Sequence, residues 1–374
     1  MSKKLWEASK TRKANSNLFE YENFLAKNYN FNITRNYSKL LRWSIKNPSK
    51  FWSSLWDFFE IKGTKKEKIY KSNILFKNKF LVNSKLNFAE NLLRKKNNSK
   101  AITFISENGL REVRSWKNLN LNVNKIINFF SKINIKANDR VAAYLPNLIE
   151  TVEAFIATSS VGAIWSSCSP DFGVEGVVER FAQIKPKVLI IVDRYYYNGK
   201  EINVIERLPI ILKKIKSIKN IIIVNYPGKN YLKLNKNNKR QLIFWKEIMK
   251  IRKIKINFKK FDFEHSLAIL YSSGTTGKPK CICHRSGGVL LQHLKEHRLH
   301  CDIKEKDNIF YFTTCGWMMW NWLISALASK ASIVLFDGFP MHKRDDLLIK
   351  IANKENITLF GVSAKYIDAI RKTK

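Results

Sequence analysis

From about residue 100 onward, short apolar runs alternate with longer helical patterns, and no other feature of the sequence restricts the fold as much. Residues 101–106, 141–145, 188–192, 221–224, 267–271, 309–313, 332–336 and 357–360 read as strands. They are nearly uninterrupted runs of apolar residues, as expected of strands covered on both faces. Between them, 119–130, 150–164, 175–184, 287–300, 317–329 and 344–355 repeat apolar residues at helical spacing. The alternation predicts an α/β fold of mostly parallel sheets flanked by helices. Ligands in such sheets bind outside the carboxyl ends of the strands, so the segments just after each strand are the places to look for chemistry.

Upstream the pattern changes. Residues 1–30 are polar, rich in Lys and Asn, and weakly patterned; they read as a poorly ordered lead-in. Between residues 37 and 59, Leu40, Leu41, Trp43, Phe51, Trp52, Leu55, Trp56, Phe58 and Phe59 recur at helical spacing on either side of Pro48. That predicts two amphipathic helices meeting at Asn47–Pro48, with aromatic faces that need a larger partner. Residues 61–79 read as a connector. The expected organisation is therefore a lead-in at 1–30, a helical N-terminal extension at 31–95 and a large domain at 96–374.

Three function classes are weighed and set aside. Lys and Arg number 68 against 30 Asp and Glu, a formal net charge of +38, which invites a nucleic-acid reading. The lysines, however, run from Lys3 to Lys374 without gathering on one helix or stripe, and Asn and Ile are similarly abundant. A genome-wide codon bias explains them better than a specific nucleic-acid partner. Residues 308–329 contain no charge and are long enough to span a bilayer, but the run breaks at Cys315–Gly316 into a strand-like and a helix-like half. No membrane partner is expected. "HLKEH" at 293–297 places His293 and His297 on one helical face, yet no third ligand follows at a metal-site spacing, and no metal site is assigned. The five cysteines are odd in number, which fits free thiols in a reducing compartment. With no apolar run in "MSKKLWEASKTRK", the expected location is cytoplasmic.

The segment after the fifth strand carries the chemistry. Residues 271–288 read "YSSGTTGKPKCICHRSGG". Gly274 and Gly277 let successive backbone N–H groups converge on an anion; Ser272, Ser273, Thr275 and Thr276 add hydroxyls, and Lys278 and Lys280 add charge. The spacing is not that of the P-loop, which needs four residues between its first Gly and Gly-Lys-Ser/Thr. "CICH" reads as the start of the passage from strand to helix.

This loop resembles the phosphate-loop signature of the adenylate-forming acyl-CoA synthetases. "NDRVAAYLPNLIETVEAFIATSSVGAIWSSCSPDFG" (138–173), "HLKEHRLHCDI" (293–303) and "FYFTTCGWMMWNWL" (310–323) resemble the acetoacetyl-CoA synthetase branch of that family. "LRWSIKNPSKFWSSLWDFF" (41–59) and "LNFAENLL" (86–93) are similar to the N-terminal extension shared with acetyl-CoA synthetases. The resemblance covers about residues 37–374 and implies the large N-terminal domain of that fold, incomplete, preceded by its helical extension.

What the resemblance implies for function is an AMP-forming acetoacetate–CoA ligase, with acetoacetate, ATP and CoA as substrates and Mg²⁺ accompanying ATP. The loop would hold the β,γ-phosphates. Trp317, Met318 and Met319 would lie at the acyl pocket, where acetate-specific relatives carry Val-Thr after the Trp. Tyr197 and Lys200 align with two arginines that meet the CoA 3′-phosphate in relatives, and Ser363 would stand near the nucleotide or cap the next helix. Relatives continue for several hundred residues that carry the Mg²⁺-ligating Glu, the ribose-binding Asp and the catalytic Lys, so no catalytic residue is assigned. The chain reads as an incomplete form, inactive by itself; a separate chain supplying the C-terminal half, another short-chain acyl-CoA synthetase, and a non-catalytic nucleotide- or CoA-binding remnant stay open as alternatives.

Overall fold

The computed structural model describes residues 5–66, 69, 74, 77–230, 240–272 and 277–373. Two sheets form its frame. The larger has seven strands in the order Gln241–Phe244, Asn220–Val224, Val188–Val192, Arg140–Tyr144, Ile164–Cys168, Ser266–Ser272 and Lys280–Arg285. The first six run parallel, and the last turns back antiparallel to its neighbour. The smaller sheet has five strands: Leu359–Gly361, Asn308–Tyr311, Ser332–Asp337, Lys100–Ser106 and Arg111–Ser115. Only its final pair is antiparallel.

The expected parallel α/β architecture is present, and all eight expected strands form, with ends displaced by a residue or two. The interior strands Val188–Val192 and Asn220–Val224 are buried at every position, which is why 188–192 and 221–224 read as unbroken Val/Ile/Leu runs. Helices Ile149–Ser160 and Val174–Ile184 pack on the larger sheet, and Trp116–Lys132 packs on Ile149–Ser160.

Four expectations need correction. The helix expected over 150–164 ends at Ser160, because Gly162 takes φ +72 with Phe261 packed where a Cβ would lie; Ile164–Cys168 is a strand. "CICH" belongs to the edge strand Lys280–Arg285 and is not the start of a passage to a helix. The helix expected over 287–300 runs as Ser286–Leu294 and continues as a π-helical stretch, Lys295–His300. Residues 17–29 are no loose lead-in: they form a helix capped by Ser16, with Tyr21 and Leu25 fully buried. Tyr21 Oη meets Ser54 Oγ at 2.7 Å, and Asn17 binds Asp302 and Ile303 at 2.7 and 3.0 Å. The short apolar stripe of Leu18, Tyr21 and Leu25, set among Asn and Lys, hid this helix from a pattern reading.

The two helices expected on either side of Pro48 form as Tyr37–Lys46 and Pro48–Phe58. Their aromatic faces join the same apolar core as the larger sheet. The uncharged run 308–329 divides into the strand Asn308–Tyr311, the helix Met318–Ser325 and a 3₁₀ turn Ala326–Ser329. Among the described residues no helix is long and apolar enough to cross a membrane.

Candidate functional site

The strand Ser266–Ser272 delivers the Gly-rich segment at the carboxyl end of the larger sheet. Ser273, Gly274, Thr275 and Thr276 lie outside the described residues; their flanks do not. Ser272 pairs with Lys280 across the antiparallel ladder, and the described residues 277–279 lead into the second strand of that pair. Gly277 takes φ +134, a backbone conformation that favours glycine. Lys278 and Lys280 are exposed, while Pro279 is buried and its carbonyl accepts from Gln183 Nε2 at 2.9 Å. Below the loop, Tyr271 Oη donates to Arg180 O at 3.1 Å and accepts from Ser166 Oγ at 3.1 Å. The loop is thus anchored on both sides by the helix Val174–Ile184.

The expected acyl-pocket residues divide. Met318 lines a cavity of about 740 Å³ with His284, Gln292, His293 and Trp52, whereas Met319 packs against the core and Trp317 is 62% exposed. Ser363 is exposed, follows the strand Leu359–Gly361, and caps the helix Ala364–Lys372 by accepting the Tyr366 N–H at 3.2 Å. Tyr197 and Lys200 face each other as the closing pair of the hairpin Arg194–Tyr197/Lys200–Asn203, both exposed.

Where the two sheets meet at their carboxyl ends stand four residues that sequence reasoning missed: Asn147, Tyr226 and Glu107, which are buried, and the half-buried Asp337. Asn147 Oδ1 accepts from Trp320 Nε1 at 2.9 Å, and its Nδ2 donates to Phe336 O and Thr313 O at 3.3 and 3.4 Å. Tyr226 Oη donates to Asp337 Oδ2 at 3.1 Å. Burial, reinforced by the charge of Asp171, pushes the Asp337 carboxyl up to about 7 against the pull of the Tyr226 hydrogen bond. Glu107 accepts main-chain N–H groups from Asn198, Gly199 and Phe339. Asp337 ends its strand and the other three stand within three residues after one, so inspecting the polar residues at the end of every strand would have found them.

The histidines of "HLKEH" have structural surroundings. His293 Nδ1 meets Ser325 Oγ at 2.9 Å, and the fully buried His297 ring packs 4.3 Å from Trp322. Burial lowers His293 to about 3 and His297 well below the usual imidazole range, so both rings are neutral. Glu296 is turned to Trp322 Nε1 and Gln292 Nε2, at 2.8 and 2.7 Å. Among the described residues no three His, Cys, Asp or Glu side chains gather as a protein-only metal site would require. All five cysteines are free.

The profile of the AMP-binding enzyme family matches residues 88–374. The chain belongs to that family. It is 43% identical over 331 residues to the acetoacetyl-coenzyme A synthetase of Rhizobium meliloti (strain 1021), covering 88% of this chain and 50% of the relative. It is 38% identical to the acetoacetyl-CoA synthetase of Gallus gallus, covering 90% of this chain and 52% of that one. A solved structure, acetoacetyl-CoA synthetase from Streptomyces lividans, superposes with a TM-score of 0.92 at 31% identity, covering 100% of this chain and 57% of its own. The chain spans about half the length of the curated relatives it matches. AMP-binding enzymes act on small molecules and in general use ATP, Mg²⁺ and CoA as co-substrates.

Proposed function

We propose that this chain supplies the ATP-phosphate, acyl and CoA contacts of an AMP-forming acetoacetate–CoA ligase. The reaction would turn ATP, acetoacetate and CoA into acetoacetyl-CoA, AMP and diphosphate. The observation that carries this reading is the similarity to acetoacetyl-CoA synthetases along nearly nine-tenths of the chain, at 43% identity in one case.

The chemistry has two displacements. The acetoacetate carboxylate attacks the α-phosphorus of ATP, and the bond to diphosphate breaks. The CoA thiolate then attacks the acyl carbon of the adenylate, and AMP leaves. In this reading Ser272, Ser273, Gly274, Thr275, Thr276 and Gly277 surround the β,γ-phosphates with hydroxyls and N–H groups, and Lys278 and Lys280 offset the departing charge. The exposed position of both lysines, beside a loop pinned through Pro279, supports that role. Trp317, Met318 and Met319 bound the acyl group, with Met318 facing it. Tyr197 and Lys200 meet the CoA 3′-phosphate, and Ser363 stands at the nucleotide end while capping its helix. Five free cysteines support a reducing, cytoplasmic setting.

The test joins this chain to the remaining half of the Rhizobium meliloti relative and measures acid-dependent ATP–pyrophosphate exchange. Acetoacetate should support exchange and acetate should support far less, whereas the 374-residue chain by itself should support none. Equal kcat/KM for the two acids in the joined enzyme would refute the substrate, and robust exchange by the chain alone would refute the division of labour.

A further inference from the structure

Buried carboxylates are held by cations or by converging N–H donors, and Glu107 has only the second kind of partner among the described residues. It follows the strand Lys100–Ser106 directly, is 5% exposed, and accepts three main-chain N–H groups: Asn198 at 2.8 Å and Phe339 at 2.7 Å on Oε2, and Gly199 at 2.7 Å on Oε1. No side chain takes part. Asn198 and Gly199 are the two-residue tip of the hairpin whose closing pair is Tyr197 and Lys200. Their φ values of +49 and +77 are both left-handed, as in the type I′ turn that an Asn-Gly tip favours. The third donor comes from the turn after the strand Ser332–Asp337, where Gly338 takes φ +115 and a Cβ would sit 2.6 Å from Glu107. The Tyr197 ring meets Phe339 in the same turn, with centroids 5.7 Å apart.

The hairpin is a two-stranded sheet of its own, outside both larger sheets, and its tip is exposed. One carboxylate fixes that tip to the end of the five-stranded sheet. The carboxylate, not its shape alone, is required: three N–H groups converge on two oxygens, and an amide would turn an NH₂ toward at least one of them.

We infer that Glu107 is a positioning residue for CoA, holding the Tyr197–Lys200 tip where it meets the 3′-phosphate of the nucleotide. The inference rests on the reading of Tyr197 and Lys200 as CoA contacts. Glu107 touches no substrate; its effect passes through the hairpin backbone.

The experiment is equilibrium binding of CoA and of dephospho-CoA, which lacks the 3′-phosphate, to the full 374-residue chain and to Lys200→Ala and Glu107→Gln. The unaltered chain should prefer CoA by about tenfold, the scale of one charge-assisted phosphate contact. Both variants should lose most of that preference while their affinity for dephospho-CoA stays within about twofold, a selective change that general loss of structure would not give. If the unaltered chain does not distinguish the two ligands, the hairpin is not the phosphate contact and the reading beneath the inference fails. If Lys200→Ala loses the preference and Glu107→Gln keeps it, the reading stands and the positioning role is overturned. Should Glu107→Gln fail to fold, amide hydrogen exchange of the unaltered chain still decides. Asn198 and Gly199, which a two-residue turn would otherwise leave open to water, should be protected as well as the closing pair Tyr197–Lys200, and rapid exchange at Asn198 and Gly199 would overturn the role.

Discussion

Replacing Trp320 by Phe should cost about 2–5 kcal/mol of stability, a sum of two terms that the joint between the sheets makes separable. Trp320 is fully buried, stacked on Trp165 with centroids 6.3 Å apart and 14° between planes, and edge-on to Phe155 at 5.5 Å. A phenyl ring keeps the hydrophobic side chain but fills less of this space, costing about 1–2 kcal/mol in burial and packing. The second term is the bond from Trp320 Nε1 to Asn147 Oδ1 at 2.9 Å, inside a site where Asn147 is 2% exposed. Losing the donor leaves that oxygen buried and unpaired, worth about 1–3 kcal/mol. Asn147→Leu makes the converse defect, orphaning the indole N–H and releasing Phe336 O and Thr313 O. In the double variant the indole–amide pair is gone from both sides, so it should be less destabilised than the two single variants added together, by about 1–2 kcal/mol. Urea unfolding of the three variants and the parent, compared at equal m values, measures this coupling. A coupling below about 0.3 kcal/mol would refute the bond as the link between these elements, however destabilised the single variants prove to be.

Two further outcomes are expected. Asp337 holds its proton up to about 7 in the folded chain against an ordinary 3.8, so the folded state binds more protons between those values and loses stability as pH rises through them. Asp337→Asn carries no such penalty and should gain on the parent from pH 5 to pH 8, by at most about 4 kcal/mol; parallel stability–pH curves for the two would contradict the perturbed carboxyl. Leu25→Ala should cost about 2–5 kcal/mol in urea unfolding, because Leu25 is fully buried in the helix Asn17–Tyr29; a cost under about 0.5 kcal/mol would restore the loose lead-in that its sequence suggests.

How far the fold was legible depended on burial. Val188–Val192 and Asn220–Val224 are enclosed on both faces, and enclosure leaves an unbroken apolar run that no helix period imitates. Ile164–Cys168 is equally buried, but its Ser166 and Ser167 bind Ile269 O and Cys315 O, and hydroxyls satisfied in this way leave no apolar signal in the sequence. Lys280–Arg285 is an edge strand with Lys280, Cys281, Ile282 and Cys283 all exposed, so no core imposed a pattern on it. The Gly-rich loop stood out because glycines, hydroxyls and lysines crowd together in sequence. Asn147, Tyr226, Asp337 and Glu107 come together only through topology, from strands of two different sheets, and single residues scattered over the chain announce nothing by spacing.

That scattering also bears on how the candidate site holds its shape. Apolar packing keeps the sheets and helices together, yet it is non-directional and tolerates small slips of one layer against another. Hydrogen bonds are directional, and at the mouth between the sheets they take over: Asn147 to Trp320 and Phe336, Tyr226 to Asp337, Glu107 to the hairpin tip and to Phe339. If the Gly-rich loop and the Tyr197–Lys200 hairpin hold one ligand as proposed, its binding depends on that registration more than on the core beneath it. Substitutions at these four residues should therefore separate ligand affinity from global stability. Substitutions such as Leu25→Ala, which touch none of these hydrogen bonds, should lower stability and leave the affinity of the folded molecules unchanged.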